Sequence, residues 1–298
     1  MKTKFTSTYL LFGTAVSIAM LTAASASAQN IFVANWYFPG AIYSITPGGV
    51  ESTYYTGGLG EPESIAFDSS GDLFVADAYD GNIDKISIGG TESTFASGMS
   101  APNGLAFNSA GDLFVADRTG SIYEFSPTGM KTTFAAGLNV PKALAFNAAD
   151  DLFVSDSGSG NIYEFTPGGT KTTFASGITG ADGLAFNAAG NLFVGYSASA
   201  PASGGIVEIS PNGAQNSFVT GLANNVNRLA FDSSGDLFVA DNNLLEIAPG
   251  GSVSTFASGL GNPTGVAIQG ETLPVPEPST IALAVLGGVA VLLRRLKK

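Results

Sequence analysis

Oxygen-donating side chains recur at one position of a repeated segment in this chain. Each stands just before a short apolar run, and the six residues in order are Glu63, Asn103, Lys142, Asp182, Asn227 and Thr264. Carboxylate and amide oxygens are the ligands that Ca²⁺ and other hard cations prefer. Four of these residues are therefore candidate metal ligands, namely Glu63, Asn103, Asp182 and Asn227. Lys142 offers the alternative, because its ammonium group could pair with Glu63 or Asp182 and leave a solvated polar site without a metal.

The composition excludes several other kinds of active site. The 298 residues include no His and no Cys, which rules out Ser-His-Asp triads, cysteine nucleophiles and His or thiolate metal ligands. Between residues 29 and 273 there are 23 acidic residues and only six basic ones. Such a charge repels phosphate backbones, so we expect no nucleic-acid partner.

Short strands in six repeats must position the polar residues. The sequence DLFVAD at 72–77 recurs with small changes at 30–35, 112–117, 151–156, 191–196 and 236–241. Periods near 40 residues that hold several short strands are typical of β-propeller blades. Runs such as LFVA do not alternate apolar with polar residues, which indicates strands covered on both faces. No helical period appears between residues 30 and 270, so the chain is predicted to be all-β, with six four-stranded blades.

The register of the repeats predicts how the ring closes. The first repeat begins at Ile31 with the second strand type and lacks a first strand, whereas a spare copy of that strand stands at Gly265–Ile268. Pairing the two ends completes the first blade and removes an open sheet edge. The six polar residues then line the top of the central channel.

Asp closes most copies of the repeated motif, at Asp77, Asp117, Asp156 and Asp241. Because it recurs in four of six blades, we interpret it as a structural residue that accepts backbone N–H groups of the following turn. No catalytic residue is predicted.

Three consecutive aromatic residues lie in the link after the second strand type of the first repeat. In an antiparallel blade, the link from the second to the third strand emerges on the same face of the propeller as the links between blades. We call this face the upper face. The lengths of the second-to-third-strand links on this face vary most between repeats, as is common at binding faces. Trp36, Tyr37 and Phe38 are therefore candidates to stack against sugar rings. The alternative is that they cover the seam where the ring closes.

The two chain ends do not fit the repeats. Residues 1–28 combine Lys2 and Lys4, an apolar run and Ala26-Ser27-Ala28, which predicts a cleaved secretory signal peptide. The propeller is then expected at 29–273. Residues 274–298 hold a proline-rich spacer, an uncharged run at 281–293 and a basic terminus. As a helix the run would be about 20 Å long, a marginal membrane span whose basic end stays cytoplasmic.

The last 25 residues resemble the PEP-CTERM sorting signal. The features that carry the resemblance are Pro276, Glu277 and Pro278, the short apolar helix and the basic end. The resemblance implies recognition and removal of the tail by an exosortase in the inner membrane of a Gram-negative bacterium that makes exopolysaccharide. The expected destination is the cell surface or the extracellular matrix.

The repeats resemble NHL and SMP-30/gluconolactonase-like six-bladed propellers, in Pro102–Phe107 and Gly235–Asp241. In SMP-30-like lactonases, Glu, Asn and Asp at comparable positions hold a catalytic metal, so the resemblance implies this role for Glu63, Asn103, Asp182 and Asn227. Propellers host unrelated functions, however. We expect a non-catalytic binding or scaffold module without a cofactor, with exopolysaccharide or a surface protein as partner. The alternative is a divalent-metal-dependent hydrolase.

Overall fold

The computed structural model describes residues 29–197, 203–222 and 226–270, and these residues form β-strands joined by turns and links. The predicted signal peptide, the sorting motif Pro276-Glu277-Pro278 and the predicted short C-terminal helix lie outside them. In the described residues no helix is long and apolar enough to cross a membrane. In chain order the strands are β1 Ile31–Asn35, β2 Ala41–Ile45, β3 Glu51–Thr56, β4 Pro62–Phe67, β5 Leu73–Asp77, β6 Asn82–Ile86, β7 Glu92–Ala96, β8 Pro102–Phe107, β9 Leu113–Asp117, β10 Ser121–Phe125, β11 Lys131–Ala135, β12 Pro141–Phe146, β13 Leu152–Asp156, β14 Asn161–Phe165, β15 Lys171–Ala175, β16 Ala181–Phe186, β17 Leu192–Tyr196, β18 Gly204–Ile209, β19 Gln215–Leu222, β20 Leu229–Phe231, β21 Leu237–Asp241, β22 Asn243–Ile247, β23 Val253–Ala257 and β24 Pro263–Ile268.

The strands form six four-stranded antiparallel sheets, which confirms the predicted six-bladed propeller. Five blades are consecutive in sequence, from β4–β7 (blade 2) to β20–β23 (blade 6). Blade 1 has the order β24-β1-β2-β3, with Ile31 opposite Ile268 and Val33 opposite Val266. The predicted closure by the C-terminal strand is therefore confirmed, and neither edge of β1 is left unpaired.

Apolar second strands and aromatic contacts hold adjacent blades together. The LFVAD segments β5, β9 and β21 are buried along their whole length, as expected for strands covered on both faces. Phe74 of β5 makes edge-to-face contacts with Phe95 of its own blade and Phe107 of the next blade, at centroid distances of 5.0 and 5.1 Å. Equivalent pairs recur around Phe32, Phe114, Phe153 and Phe193. Such contacts add to area burial and fix the spacing between blades.

Candidate functional site

A polar cavity of about 210 Å³ lies at the upper end of the channel. It brings together all six residues that the repeat pattern placed at the channel mouth, together with four that the pattern did not single out for it: Trp36, Arg118, Arg228 and Asn262. The first strands position most of the ring, because Glu63, Asn103 and Lys142 are each the second residue of their strand. The polar residues thus lie within the strands and not just before them, except for Asn227, which precedes β20.

In five of the six blades the residue after the ring position is small, and in two of them the next blade leaves no room for a Cβ. A Cβ placed on Gly104 would lie 2.0 Å from the backbone oxygen of Lys142, and one on Gly183 would lie 2.4 Å from that of Asn227. Side chains other than hydrogen therefore do not fit there without backbone movement. Ser64, Ala143 and Gly265 take the equivalent place in three other blades.

Asp182 is the centre of the charge network in the cavity. Its carboxylate forms ion pairs with Lys142 through Oδ2 and with Arg228 through Oδ1, and its side chain is only 5% exposed. Ser155 links the same two blades below, because its hydroxyl accepts the Ala143 N–H at 2.8 Å and donates to the Asp182 carbonyl at 2.6 Å. Of the two partners that the sequence left open for Lys142, the structure shows pairing with Asp182.

Arg228 is a central residue of the candidate site that the repeat pattern did not single out. It occupies the fifth of six copies of a position where the other blades have Ser, Gly, Ala, Gly and Gly, and this break in the repeat was the available signal. Its side chain is 9% exposed, and its guanidinium also donates to Oδ1 of Asn103 in the blade opposite. The Arg228 Nε lacks a hydrogen-bond partner within the described residues.

Glu63 lies at the other side of the cavity, 3.8 Å from Arg118 between Oε1 and Nη1. Burial raises the pKa of the Glu63 carboxyl above its usual value, against the opposing charges of Arg228 and Arg118. Removal from water disfavours the ionised form. Arg118 is 45% exposed and Glu63 is 19% exposed, so this pair is looser and wetter than the pairs around Asp182.

The donor set does not fit a divalent cation as arranged here. A Ca²⁺ ion needs six to eight oxygens that point to one place, whereas Asp182 and Asn103 direct their oxygens to Arg228. Asn227 donates its amide to the Pro263 carbonyl at 2.9 Å. Among the residues that the structure describes, no group of three or more acidic side chains is arranged to hold a metal. The guanidinium of Arg228 supplies the positive charge at this point of the channel.

The predicted aromatic residues lie on the upper face beside this cavity. Trp36 lines the cavity and is 37% exposed, while Phe38 is 78% exposed. Tyr37 covers the seam, since a Cβ placed on Gly261 would lie 2.7 Å from its ring. Tyr79, which sequence reasoning did not single out, lies next to Phe38 with ring centroids 6.3 Å apart. The contact of Tyr37 agrees with the seam interpretation, and stacking of Trp36 and Phe38 on sugar rings stays a prediction.

The recurring aspartates bind the links of the upper face. Asp77 accepts the backbone N–H groups of Gly60 and Glu61 at 2.6 and 3.0 Å, and that of Tyr79 at 3.2 Å. In blade 1 Asn35 takes this role, with the N–H groups of Tyr37 and Asn262 at 3.3 and 3.2 Å. The structural interpretation agrees with these contacts, which also hold the aromatic link in place.

Several solved structures share the fold of this chain. No curated protein matches the sequence significantly. A chain of the nidogen–laminin complex has a TM-score of 0.70 at 17% identity, over 81% of this chain and 98% of that one. The gluconolactonase from Xanthomonas campestris has a TM-score of 0.61 at 16% identity, over 70% and 82%. The virginiamycin B lyase from Staphylococcus aureus has a TM-score of 0.61 at 14% identity, over 82% and 94%. At these identities the likeness establishes the fold alone.

Residues 274–298 match the PEP-CTERM protein-sorting motif, as the proline-rich spacer, apolar run and basic end predicted. The motif implies export, a membrane-anchored C-terminus before processing, and processing by an exosortase. The chain is therefore a six-bladed β-propeller, similar in fold to gluconolactonase-type propellers, that carries a PEP-CTERM protein-sorting motif.

Proposed function

We propose that this protein is a non-catalytic binding module of the cell surface or extracellular matrix, and that it binds exopolysaccharide through its upper face. The observation that carries the proposal is a group of exposed aromatic side chains next to the polar cavity. We call this group the aromatic row, and it consists of Trp36, Tyr37, Phe38 and Tyr79. Trp36 belongs to both, since it lines the cavity and begins the row. Aromatic faces stack on the C–H faces of sugar rings, and amide and charged groups bind sugar hydroxyls.

The aromatic row is held rigidly enough to act as a platform. Asn35 hydrogen-bonds the backbone on both sides of the seam, and the Trp36 N–H donates to the Asn262 carbonyl at 3.0 Å. The planes of Phe38 and Tyr79 are inclined by 57°, so the two rings present neighbouring surfaces to a curved chain. Rigid aromatic side chains offer contact area at a low cost in conformational entropy.

Charge and sorting support the same ligand class. The body of the chain carries a large excess of acidic residues, which disfavours nucleic acid and anionic lipid. The sorting motif implies export, and a polysaccharide outside the cell is a ligand that an exported protein can meet. The alternative of a metal-dependent hydrolase finds less support, because the oxygens of Asp182 and Asn103 are engaged by Arg228.

The test is retention of the detergent-solubilised full chain by exopolysaccharide in affinity electrophoresis. We expect Trp36→Ala and Phe38→Ala each to weaken retention about tenfold or more, since stacked aromatic residues dominate such contacts. Ile88→Ala is the matched control, because Ile88 is 69% exposed and lies in a third-to-fourth-strand link on the opposite face. Equal retention of all variants, or no retention of the parent protein, contradicts the proposal.

A further inference from the structure

The basic residues of the propeller are concentrated at the axial cavity. The body between residues 29 and 273 has six of them against 23 acidic residues, yet Arg118, Lys142 and Arg228 all line this one cavity. They face two carboxylates, those of Glu63 and Asp182. The cavity therefore has an excess of positive charge in an otherwise acidic protein.

This positive charge is only partly compensated. Lys142 and Arg228 share the single carboxylate of Asp182, so one of the two cationic charges has no counter-charge there. Arg118 is 3.8 Å from Glu63 and 45% exposed, so this pair leaves the guanidinium accessible from solvent. Lys142 is 24% exposed, so both outer cations are accessible to a ligand.

We propose that the axial cavity binds the carboxylate of an acidic sugar unit, such as a hexuronate, within the polysaccharide. This inference rests on the proposed function and specifies its ligand. Arg118 binds the carboxylate as a planar guanidinium does, through paired hydrogen bonds, and Lys142 adds a second charge. Trp36 stacks on the ring of the same unit, and the amide of Asn262 is available to its hydroxyls.

The size of the cavity agrees with one sugar unit. Its volume of about 210 Å³ lies below the ~300–1,000 Å³ of sites that enclose drug-sized ligands. The rest of the polymer then runs outward over Phe38 and Tyr79, which lie together on the same face. The acidic body disfavours contact with polyanions over a wide surface, but charges beyond about 8 Å are largely screened at physiological salt, so the nearby cations of the cavity decide the binding of a single carboxylate.

The experiment is calorimetric titration of the purified full chain with oligogalacturonate and with a malto-oligosaccharide of the same length. We expect the acidic oligosaccharide to bind at least tenfold more tightly, and the difference to shrink as NaCl is raised. Arg118→Gln should weaken binding of the acidic ligand about tenfold and leave the neutral one unchanged. Lys131→Gln is the matched control, because Lys131 is an exposed cation over the ring of Tyr123, far from the cavity.

The possible results separate the two proposals. Equal affinity for both oligosaccharides, or no effect of Arg118→Gln, overturns the carboxylate site but leaves polysaccharide binding standing. Binding of neither ligand, with no retention by exopolysaccharide, overturns both. Competition by sodium sulfate as effective as that by sodium glucuronate overturns the assignment to an acidic sugar. Thermal melts of each variant verify folding, which Arg118→Gln preserves because its side chain is half exposed.

Discussion

Arg228 and Asn103 lie in blades 6 and 3, on opposite sides of the ring, and a hydrogen bond joins their side chains across the channel axis. The same guanidinium is paired with Asp182 of blade 5. One side chain therefore connects three blades at the channel axis. The charge at the axis is supplied by the chain itself.

Removing this side chain should destabilise the ring. In Arg228→Met the buried Asp182 keeps only Lys142 as a counter-ion, and the loss of one partner of a buried pair costs about 3 kcal/mol. Chemical denaturation at neutral pH measures the change in the free energy of unfolding. Arg118→Gln, which alters an exposed pair, should cost less than about 1 kcal/mol.

A double variant tests whether the cost arises from Asp182. Adding Asp182→Asn to Arg228→Met changes a residue whose contact with Arg228 is already lost, so the combined loss should be smaller than the sum of the single losses. Additive losses would show that Arg228 stabilises the ring independently of Asp182, through packing and its hydrogen bond to Asn103.

Metal addition should leave stability unchanged. A site of ~10 μM affinity at ~1 mM Ca²⁺ would add about 2.7 kcal/mol and raise Tm by about 5–10 °C. Because Arg228 engages the oxygens of Asp182 and Asn103, we expect a shift below about 1 °C. The measurement is a melt with excess chelator followed by Ca²⁺. A shift of several degrees that Glu63→Gln abolishes would restore the metal-dependent hydrolase.

Asp84 should make stability depend on pH. It lies on β6 opposite Val75, where the other blades have Tyr, Val or Leu, and it is 4% exposed. Burial raises the pKa of its carboxyl to about 6. Between about pH 4 and pH 6 the folded chain keeps a proton that the unfolded chain has lost, so the free energy of unfolding falls as the pH rises.

Asp84→Asn removes this dependence. At pH 8 the variant should be more stable by up to about 3 kcal/mol, while near pH 4 the two proteins should melt together. Glu51→Gln, which alters an exposed carboxylate on β3, is the control variant and is measured at the same pH values. If Asp84→Asn lowers stability at pH 8, the ionised carboxylate is stabilised by its neighbours, and the predicted direction of the pH dependence is wrong.

Replacing Val140 with glycine should stabilise the protein. The φ of Val140 is 61°, in the left-handed region that costs a β-branched residue about 1–3 kcal/mol. The equivalent residue in the next link is Gly180, with φ of 72°. Allowing for the extra entropy of an unfolded glycine, Val140→Gly should gain about 1 kcal/mol, or ~2–4 °C in Tm. Ala101→Gly at the same point of another link, without a positive φ, should lose stability instead.

The repeat pattern predicted the strands, the blade number and the closure, because each of these follows from local properties that recur every 40 residues. Apolar runs, their period of about 40 residues and the missing first strand are visible along the chain. The ring of polar residues followed in the same way, since identical positions of identical blades must meet at the axis. Its six members indeed line one cavity.

What the repeats could not show is the way in which different blades use that shared position. Arg228 contacts Asn103 at a separation of 125 residues and Asp182 at a separation of 46, and Tyr79 joins Phe38 from a neighbouring blade. Pairing of this kind depends on the direction and reach of single side chains across a closed ring. The sequence by itself therefore determined a six-bladed propeller with a sorting signal and a polar channel mouth. Only the tertiary structure decided that an arginine of the chain holds the charge at its centre, because only there do residues from opposite blades come within hydrogen-bonding distance.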